Sequence, residues 1–235
     1  MQMIQLNESG WAKSFLIFEE NSGKAAIIDP VYDFVNDYLT KIDTMGLKLE
    51  MCIATHTHAD HITGCFTIAE STGCDYVMWH STASLGVTKY VSEESELTLG
   101  DEKITFYHVP GHTEDSMLVV TAKHVFTGDF LFTGDGGVGR DDLPSGRMQS
   151  HFDSLKVMSK LSGDLLVCTG HEAPGVEFQT LSWNRQHNPV LNMSEFKEYA
   201  EWQNNTTEQL GYVSKIKVAL PANLFAEIPD DVPWL

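Results

Sequence analysis

One stretch constrains this chain more than any other: Thr55-His56-Thr57-His58-Ala59-Asp60-His61. Three imidazoles and a carboxylate fall within six consecutive positions. Neutral polar groups in a folded interior need partners, and the neutral imidazole is the commonest metal ligand of all side chains. The apolar run Met51 to Thr55 reads as a short strand that feeds directly into the cluster, so the histidines sit at the end of a strand or in the loop after it. In extended backbone His56 and His58 share a face, while Asp60 and His61, past a bend, can address a second position. The alternative is a solvated His-rich loop, and the density of imidazoles argues against it.

The same event recurs down the chain. Ile104 to Val109 reads as a strand delivering Pro110-Gly111-His112, Met117 to Thr121 and His124 to Thr127 form a hairpin ending at Gly128-Asp129, and Leu165 to Cys168 hands off to Gly170-His171. Each ligand-like residue follows a strand and a glycine that permits a sharp turn. Loops fixed by a rigid sheet are where reactive groups concentrate. Lys24 to Ile28, closed by Asp29-Pro30, and Tyr76 to Trp79 are further strands. Helices are expected over Asp33 to Met45, stopped by Gly46, over Ile62 to Thr72, stopped by Gly73, and along the Phe152, Leu155, Met158, Leu161 face, stopped by Gly163. Hairpins outnumber helical crossovers in the middle of the chain, which favours an α+β class, an αββα sandwich, over a doubly wound parallel sheet. Length allows residues 1–235 to form one such domain, with a mostly helical extension from about residue 172.

Charge narrows the partners. Fifteen Lys and Arg face thirty-three Asp and Glu, for a net charge of −18. Such a surface repels phosphate backbones and anionic lipid, so neither nucleic acid nor membrane is an expected partner. No apolar run reaches the roughly 20 residues needed to span a bilayer, and no leader-like segment opens the chain, so a cytoplasmic protein is expected. The four cysteines, Cys52, Cys65, Cys74 and Cys168, form no close pair in sequence and read as reduced, structural thiols. The only arginines are Arg140, Arg147 and Arg185. Arg140 and Arg185 are the candidates for holding an anionic substrate, because guanidinium suits bidentate capture of carboxylates. His80, His108, His124, His151 and His187 lack ligand-like surroundings and are expected to be structural or solvated. Trp79, Trp183, Trp202 and Trp234 are expected to pack, and Asp135 and Asp142 to serve turns or caps.

Taken in order, His56, His58, Asp60 and His61, then His112, Asp129 and His171, resemble the metal motif of the metallo-β-lactamase superfamily, over essentially the whole chain. Within it the sequence is most similar to the persulfide dioxygenases. The stretches that carry this are Thr55 to Gly64, Gly137 to Leu143, Arg185 to Leu191 and Ala219 to Asn223. The resemblance implies one Fe(II) held by His56, His112 and Asp129, two imidazoles and a carboxylate that leave three adjacent coordination positions open. A thiol persulfide and O₂ would be the small-molecule partners, with glutathione persulfide the first candidate and sulfite the product. A homodimer stays an open option. His58, Asp60, His61 and His171 would orient the ligands, with Asp60 and His61 the candidate catalytic groups.

Glyoxalase II enzymes carry the same seven ligands, so the hydrolytic alternative is two Zn(II) sharing all seven, bridged by Asp129, with a metal-bound hydroxide attacking a thioester. A metal-bound interaction module is the non-enzymatic alternative, against which open coordination positions argue. Two departures bear on the substrate. Where persulfide dioxygenases read His-Asp-Tyr and Asn-Pro-Arg-Leu, this chain has His171-Glu172-Ala173 and Asn188-Pro189-Val190-Leu191. The absent Tyr and Arg would have helped hold an anionic tripeptide.

Overall fold

The computed structural model describes residues 1–7, 12–93, 95–173 and 175–234. The first sheet is built from β1 (Gln2–Gln5), β2 (Phe15–Phe18), β3 (Lys24–Ile28), β4 (Lys48–Ile53), β5 (Asp75–Trp79) and β6 (Lys89–Val91), hydrogen-bonded in that order. Helix α1 (Val35–Thr44) connects β3 to β4, and α2 (Cys65–Thr72) connects β4 to β5. The second sheet contains β7 (Glu96–Leu99), β8 (Glu102–His108), β9 (Met117–Val120), β10 (His124–Gly128) and β11 (Leu166–Thr169), with β10 between β9 and β11. Helix α3 (Met148–Ser154) precedes β11, and α4 (Leu181–His187), α5 (Phe196–Leu210) and α6 (Ile216–Phe225) follow it.

Alternation along the strands stacks these elements in four layers. In β4, Met51 and Ile53 point at the other sheet while Cys52 points outward to α1 and α2. In β9, Met117 and Val119 face inward, and Leu118 and Val120 face the helices on the far side. The period of two of an extended chain thus gives each sheet two apolar faces to bury. Between the sheets lie Phe15, Ile17, Ile28, Ile53, Phe106 and Phe126, all at most 2% exposed. Each such side chain contributes roughly 1.5–3 kcal/mol of burial. The outer core of the second sheet takes in Leu155, Met158, Leu181, Val190 and Tyr199, so the segment after β11 packs on that sheet.

The expected hairpins are found in the second sheet, where β7–β8, β8–β9 and β9–β10 are antiparallel, and at the start of the first, where β1–β2 and β2–β3 are. In the first sheet β3–β4, β4–β5 and β5–β6 are parallel, with α1 and α2 as crossovers. The helix expected from Ile62 begins only at Cys65. The residues before it form instead the end of the metal-ligand loop, pinned where Gly64 N donates to Pro30 O at 2.6 Å and Tyr32 N to Ile62 O at 2.9 Å. The helix expected around residues 152–161 is a short α-helix continuing as a 3₁₀ turn over Leu155–Ser159. Gly46 and Gly73 stop α1 and α2 in left-handed conformations at φ 65° and 75°, as anticipated. Among the described residues no helix is long and apolar enough to cross a membrane.

Candidate metal centre

The loops after β4, β8, β10 and β11 open on one edge of the sandwich. His56, His58, Asp60 and His61 come from the first sheet, and His112, Asp129 and His171 from the second. One potential ligand atom from each of His56, His112 and Asp129 lies within 4.8 Å of the others, and the same holds for His58, Asp60 and His61. His171 Nε2 approaches Asp60 Oδ2 at 3.2 Å and Asp129 Oδ2 at 3.7 Å, which joins the two groups.

Hydrogen-bond partners decide which nitrogen each imidazole offers. Thr55 Oγ1 gives its one proton to Asp29 Oδ2 at 2.7 Å, so it accepts from His56 Nδ1 at 2.9 Å. Nε2 of His56 is therefore the atom with the free lone pair. His112 Nδ1 donates to the Arg140 carbonyl at 2.5 Å, which leaves its Nε2 directed at Asp129 Oδ2, 3.7 Å away. His58 Nε2 donates to Asp29 Oδ1 at 3.2 Å and keeps Nδ1 free. His61 Nδ1 donates to Asp60 Oδ2 at 3.1 Å. Buried and without a hydrogen-bond partner are His56 Nε2, His61 Nε2 and Asp129 Oδ1. Two of these orphaned acceptors, His56 Nε2 and Asp129 Oδ1, belong to the group with His112 and the third to the group with His58 and Asp60, and buried acceptors of this kind are costly unless a cation satisfies them. The donor set fits a transition metal.

Protonation follows the same logic. Burial pushes His56 well below the ordinary imidazole range, and His58 and His112 add to the effect, so it is neutral. Burial likewise lowers His61. Burial opposes charge on His58 and His171, yet carboxylates override it. Asp29 raises His58, and Asp129 with Asp60 lifts His171 to about 10. Asp60 stays ionised, since His61 and His171 outweigh its desolvation. The carboxylates of this edge thus demand positive charge, which protons supply without an ion and a bound cation would supply in their place.

Glycines let the loops close. A Cβ on Gly128, at φ 49°, would stand 2.3 Å from Thr55 Oγ1, and one on Gly170 would stand 2.3 Å from Asp129 Oδ1. The expected turn role of the glycines is accompanied by this closer constraint of contact.

Three supporting residues escaped the sequence reading. Asp29, taken only as the end of β3, is 3% exposed and strained at φ 48°. Its carboxylate also accepts Thr55 N at 2.7 Å, so it orients two histidines. Asp115 accepts from Thr57 N at 3.1 Å and from Thr113 Oγ1 at 2.7 Å, tying the His56 loop to the His112 loop. Asn223 of α6 donates to the carbonyls of His58 and His61, both at 2.9 Å, and accepts from Thr63 N at 2.8 Å.

The arginines divide. Arg140 lines the cavity of about 460 Å³ that opens on Asp60, His112, Asp129 and His171. Its guanidinium is engaged, however, bidentate on Asp142 at 2.6 and 2.7 Å and on Gly211 O at 2.8 Å. Asp142, read as a turn residue, is its partner. Arg185 is not brought to this cavity. It lines a separate one with Met158 and Val190 and donates to the carbonyls of Met158 and Leu161, capping the 3₁₀ turn. His151, expected to be structural, is buried and donates Nε2–H to Phe130 O at 2.9 Å; a Cβ on Gly111 would fall 2.3 Å from it. The four cysteines are buried and free, as anticipated.

Residues 12–171, from just before β2 to the last of the seven ligand-like residues, match the family model of the metallo-beta-lactamase superfamily. The chain belongs to the metallo-β-lactamase superfamily. Among its relatives there, persulfide dioxygenase ETHE1 of Mus musculus is 28% identical over 215 residues, spanning 90% of this chain and 82% of that one. The crystal structure of ETHE1 from Myxococcus xanthus superposes with a TM-score of 0.88 at 30% identity, covering 96% of this chain and 99% of that one. A hydroxyacylglutathione hydrolase of Xanthomonas oryzae is 32% identical, but over 151 residues, 64% of this chain and 57% of its own. Membership, the His and Asp clusters and these relatives together identify a metal-dependent enzyme of the superfamily.

Proposed function

We propose that the protein is a mono-iron persulfide dioxygenase, with His56, His112 and Asp129 holding Fe(II) and a low-molecular-weight thiol persulfide oxidised by O₂ at its terminal sulfur to sulfite. The observation that carries the reading is coverage. Likeness to the persulfide dioxygenases covers 90% of the chain in sequence and 96% in structure, whereas likeness to hydroxyacylglutathione hydrolases covers 64% to 76% of it. Bound at the triad, Fe(II) would supply a redox-active ion whose open coordination positions bring O₂ and a sulfur ligand together; the terminal sulfur provides the four electrons that reduce O₂, and water supplies the third sulfite oxygen as the thiol leaves.

The chain's own residues do the rest. Thr55 and the Arg140 carbonyl fix the tautomers of His56 and His112, so both present Nε2. Asp29 holds His58 in place, and Asp60 is shared by His61 and His171. Asp60 lines the cavity and accepts from His61 Nδ1 behind it, a pair that can hold a proton beside the reacting sulfur. Phe132, Leu143 and Val213 keep part of the cavity dry.

Metal analysis of protein purified without added metal, combined with oxygen uptake on glutathione persulfide, tests this. One iron per chain and uptake only with persulfide is the expected result. Stoichiometric zinc with no uptake, and release of thiol from S-lactoylglutathione, would replace the reading with the binuclear hydrolase. In His58→Ala, metal content should largely persist if one ion is bound by the triad, and should fall if a two-metal site needs this imidazole.

A further inference from the structure

Helix α5 gives its innermost positions to polar side chains. Tyr199 and Gln203 are both 0% exposed, where an apolar residue would be buried at less cost. Gln203 Oε1 even lacks a hydrogen-bond partner. What the two side chains address is the segment 137–141, which is neither helix nor strand, and every second residue of it meets α5. A Cβ on Gly137 would stand 2.2 Å from Trp202 Cη2, Gln203 Nε2 donates to Gly139 O at 2.8 Å, and Tyr199 Oη donates to Asp141 Oδ2 at 3.3 Å. Tyr199, Trp202 and Gln203 are spaced i, i+3, i+4 and so share one helix face.

The same segment also holds two of the candidate metal ligands. Gly139 N donates to Asp129 O at 3.0 Å, and a Cβ on Gly139 would fall 2.1 Å from that oxygen. His112 Nδ1 donates to the Arg140 carbonyl at 2.5 Å, the bond that leaves Nε2 for a metal. This carbonyl lies between Gly139 and Asp141, the two residues to which α5 donates. A third tie follows the helix, where the Arg140 guanidinium donates to Gly211 O at 2.8 Å.

From this we infer that Gln203 and Tyr199 are positioning residues of the metal centre, acting through residues 139–141 to aim His112 Nε2 and to seat Asp129. That an ion is held there rests on the reading above. The tautomer of His112 in the metal-free protein does not.

The test uses the full chain with Gln203→Met, which keeps the length of the side chain but removes the amide donor, and Tyr199→Phe, which removes only the hydroxyl. Imidazole nitrogen NMR of the metal-free proteins reads the His112 tautomer. Co(II), titrated against a competing chelator, reads affinity and, through its visible absorption, ligand geometry. The parent should show the Nδ1–H form of His112 alone. In each variant an Nε2–H population should appear, and Co(II) should bind about tenfold more weakly, with a displaced visible band. The melting temperature of the metal-free variants should stay within about 4 °C of the parent. Variants whose His112 signals and Co(II) spectrum match the parent overturn the inference whatever their melting temperature, since α5 would then only pack. If Gln203→Met does not fold, Tyr199→Phe decides by the same readouts. A parent that fails to bind Co(II) removes the metal reading and leaves the imidazole signals to decide this one.

Discussion

Replacing Asn223 with alanine should damage a metal loop some 160 residues away in sequence. The amide is 2% exposed and makes three bonds to that loop, to His58 O, His61 O and Thr63 N. Truncation leaves two carbonyls and one N–H buried without partners. An unsatisfied buried group costs about 1–3 kcal/mol, and a water entering the space left by the amide would recover part of the sum. A net loss of about 3 kcal/mol is a reasonable centre, equivalent to a fall of roughly 6–12 °C in melting temperature for a chain of this size. The loop carries four of the seven candidate metal-binding side chains, so metal affinity should drop by about 10–100-fold, as for other groups that support ligands from behind. Thermal melts of the metal-free protein and titration of metal against a competing chelator measure the two effects. Asn223→Asp is the informative companion, since it keeps the acceptor for Thr63 N but aims oxygen at two carbonyls; it should be no better than alanine. A variant within 0.5 kcal/mol of the parent, with unchanged metal affinity, would show that α6 merely lies beside the loop.

Further outcomes follow from other contacts. Asp29→Asn keeps the shape of the side chain but removes the charge facing His58 and one acceptor for Thr55; metal content at limiting supply should fall at least tenfold, with the melting temperature of the metal-free form shifted by only a few degrees. Arg185→Ala should cost about 2 kcal/mol by uncapping the carbonyls of Met158 and Leu161 while leaving KM unaltered; a raised KM would return this residue to substrate binding. Burial holds His151 neutral, lowering its pKa to about 3. A depressed folded-state value means that its contribution to stability is complete above the unfolded value near 6.5 and is lost as pH falls toward 3. Between pH 7.5 and 5 the stability gap between the metal-free parent and His151→Gln should therefore narrow by about 2 kcal/mol in urea titrations, and parallel curves would contradict the assignment.

What the sequence made legible was what is local. His56, His58, Asp60 and His61 lie within one loop, and His112, Asp129 and His171 each follow an apolar run and a glycine, so each could be picked out from its immediate neighbours. The layers were legible for the same reason, because a run such as Met117 to Val120 is apolar on both faces and must be covered twice. Asp29 was not, since an Asp-Pro pair after a strand looks like an ordinary turn, and its partners are 26 and 29 residues away. Asn223 depends on a contact across 165 positions. Arg140 and Arg185 were both chosen on chemistry alone; only the fold reveals that Asp142 neutralises one and that helix carbonyls absorb the other. Parallel pairing in the first sheet was obscured because α1 and α2 are short and β6 has only three residues.

The division of the ligands between the two sheets carries a consequence for how the molecule comes apart. If an ion is held as proposed, by His56 on one layer and by His112 and Asp129 on the other, it acts as a rivet, so the layers cannot slide or separate without first surrendering it. Loading at a hundredfold over the dissociation constant would add about 2.7 kcal/mol to the folded state. Scarcity of metal would then be felt as a shorter lifetime of the polypeptide as well as a loss of turnover.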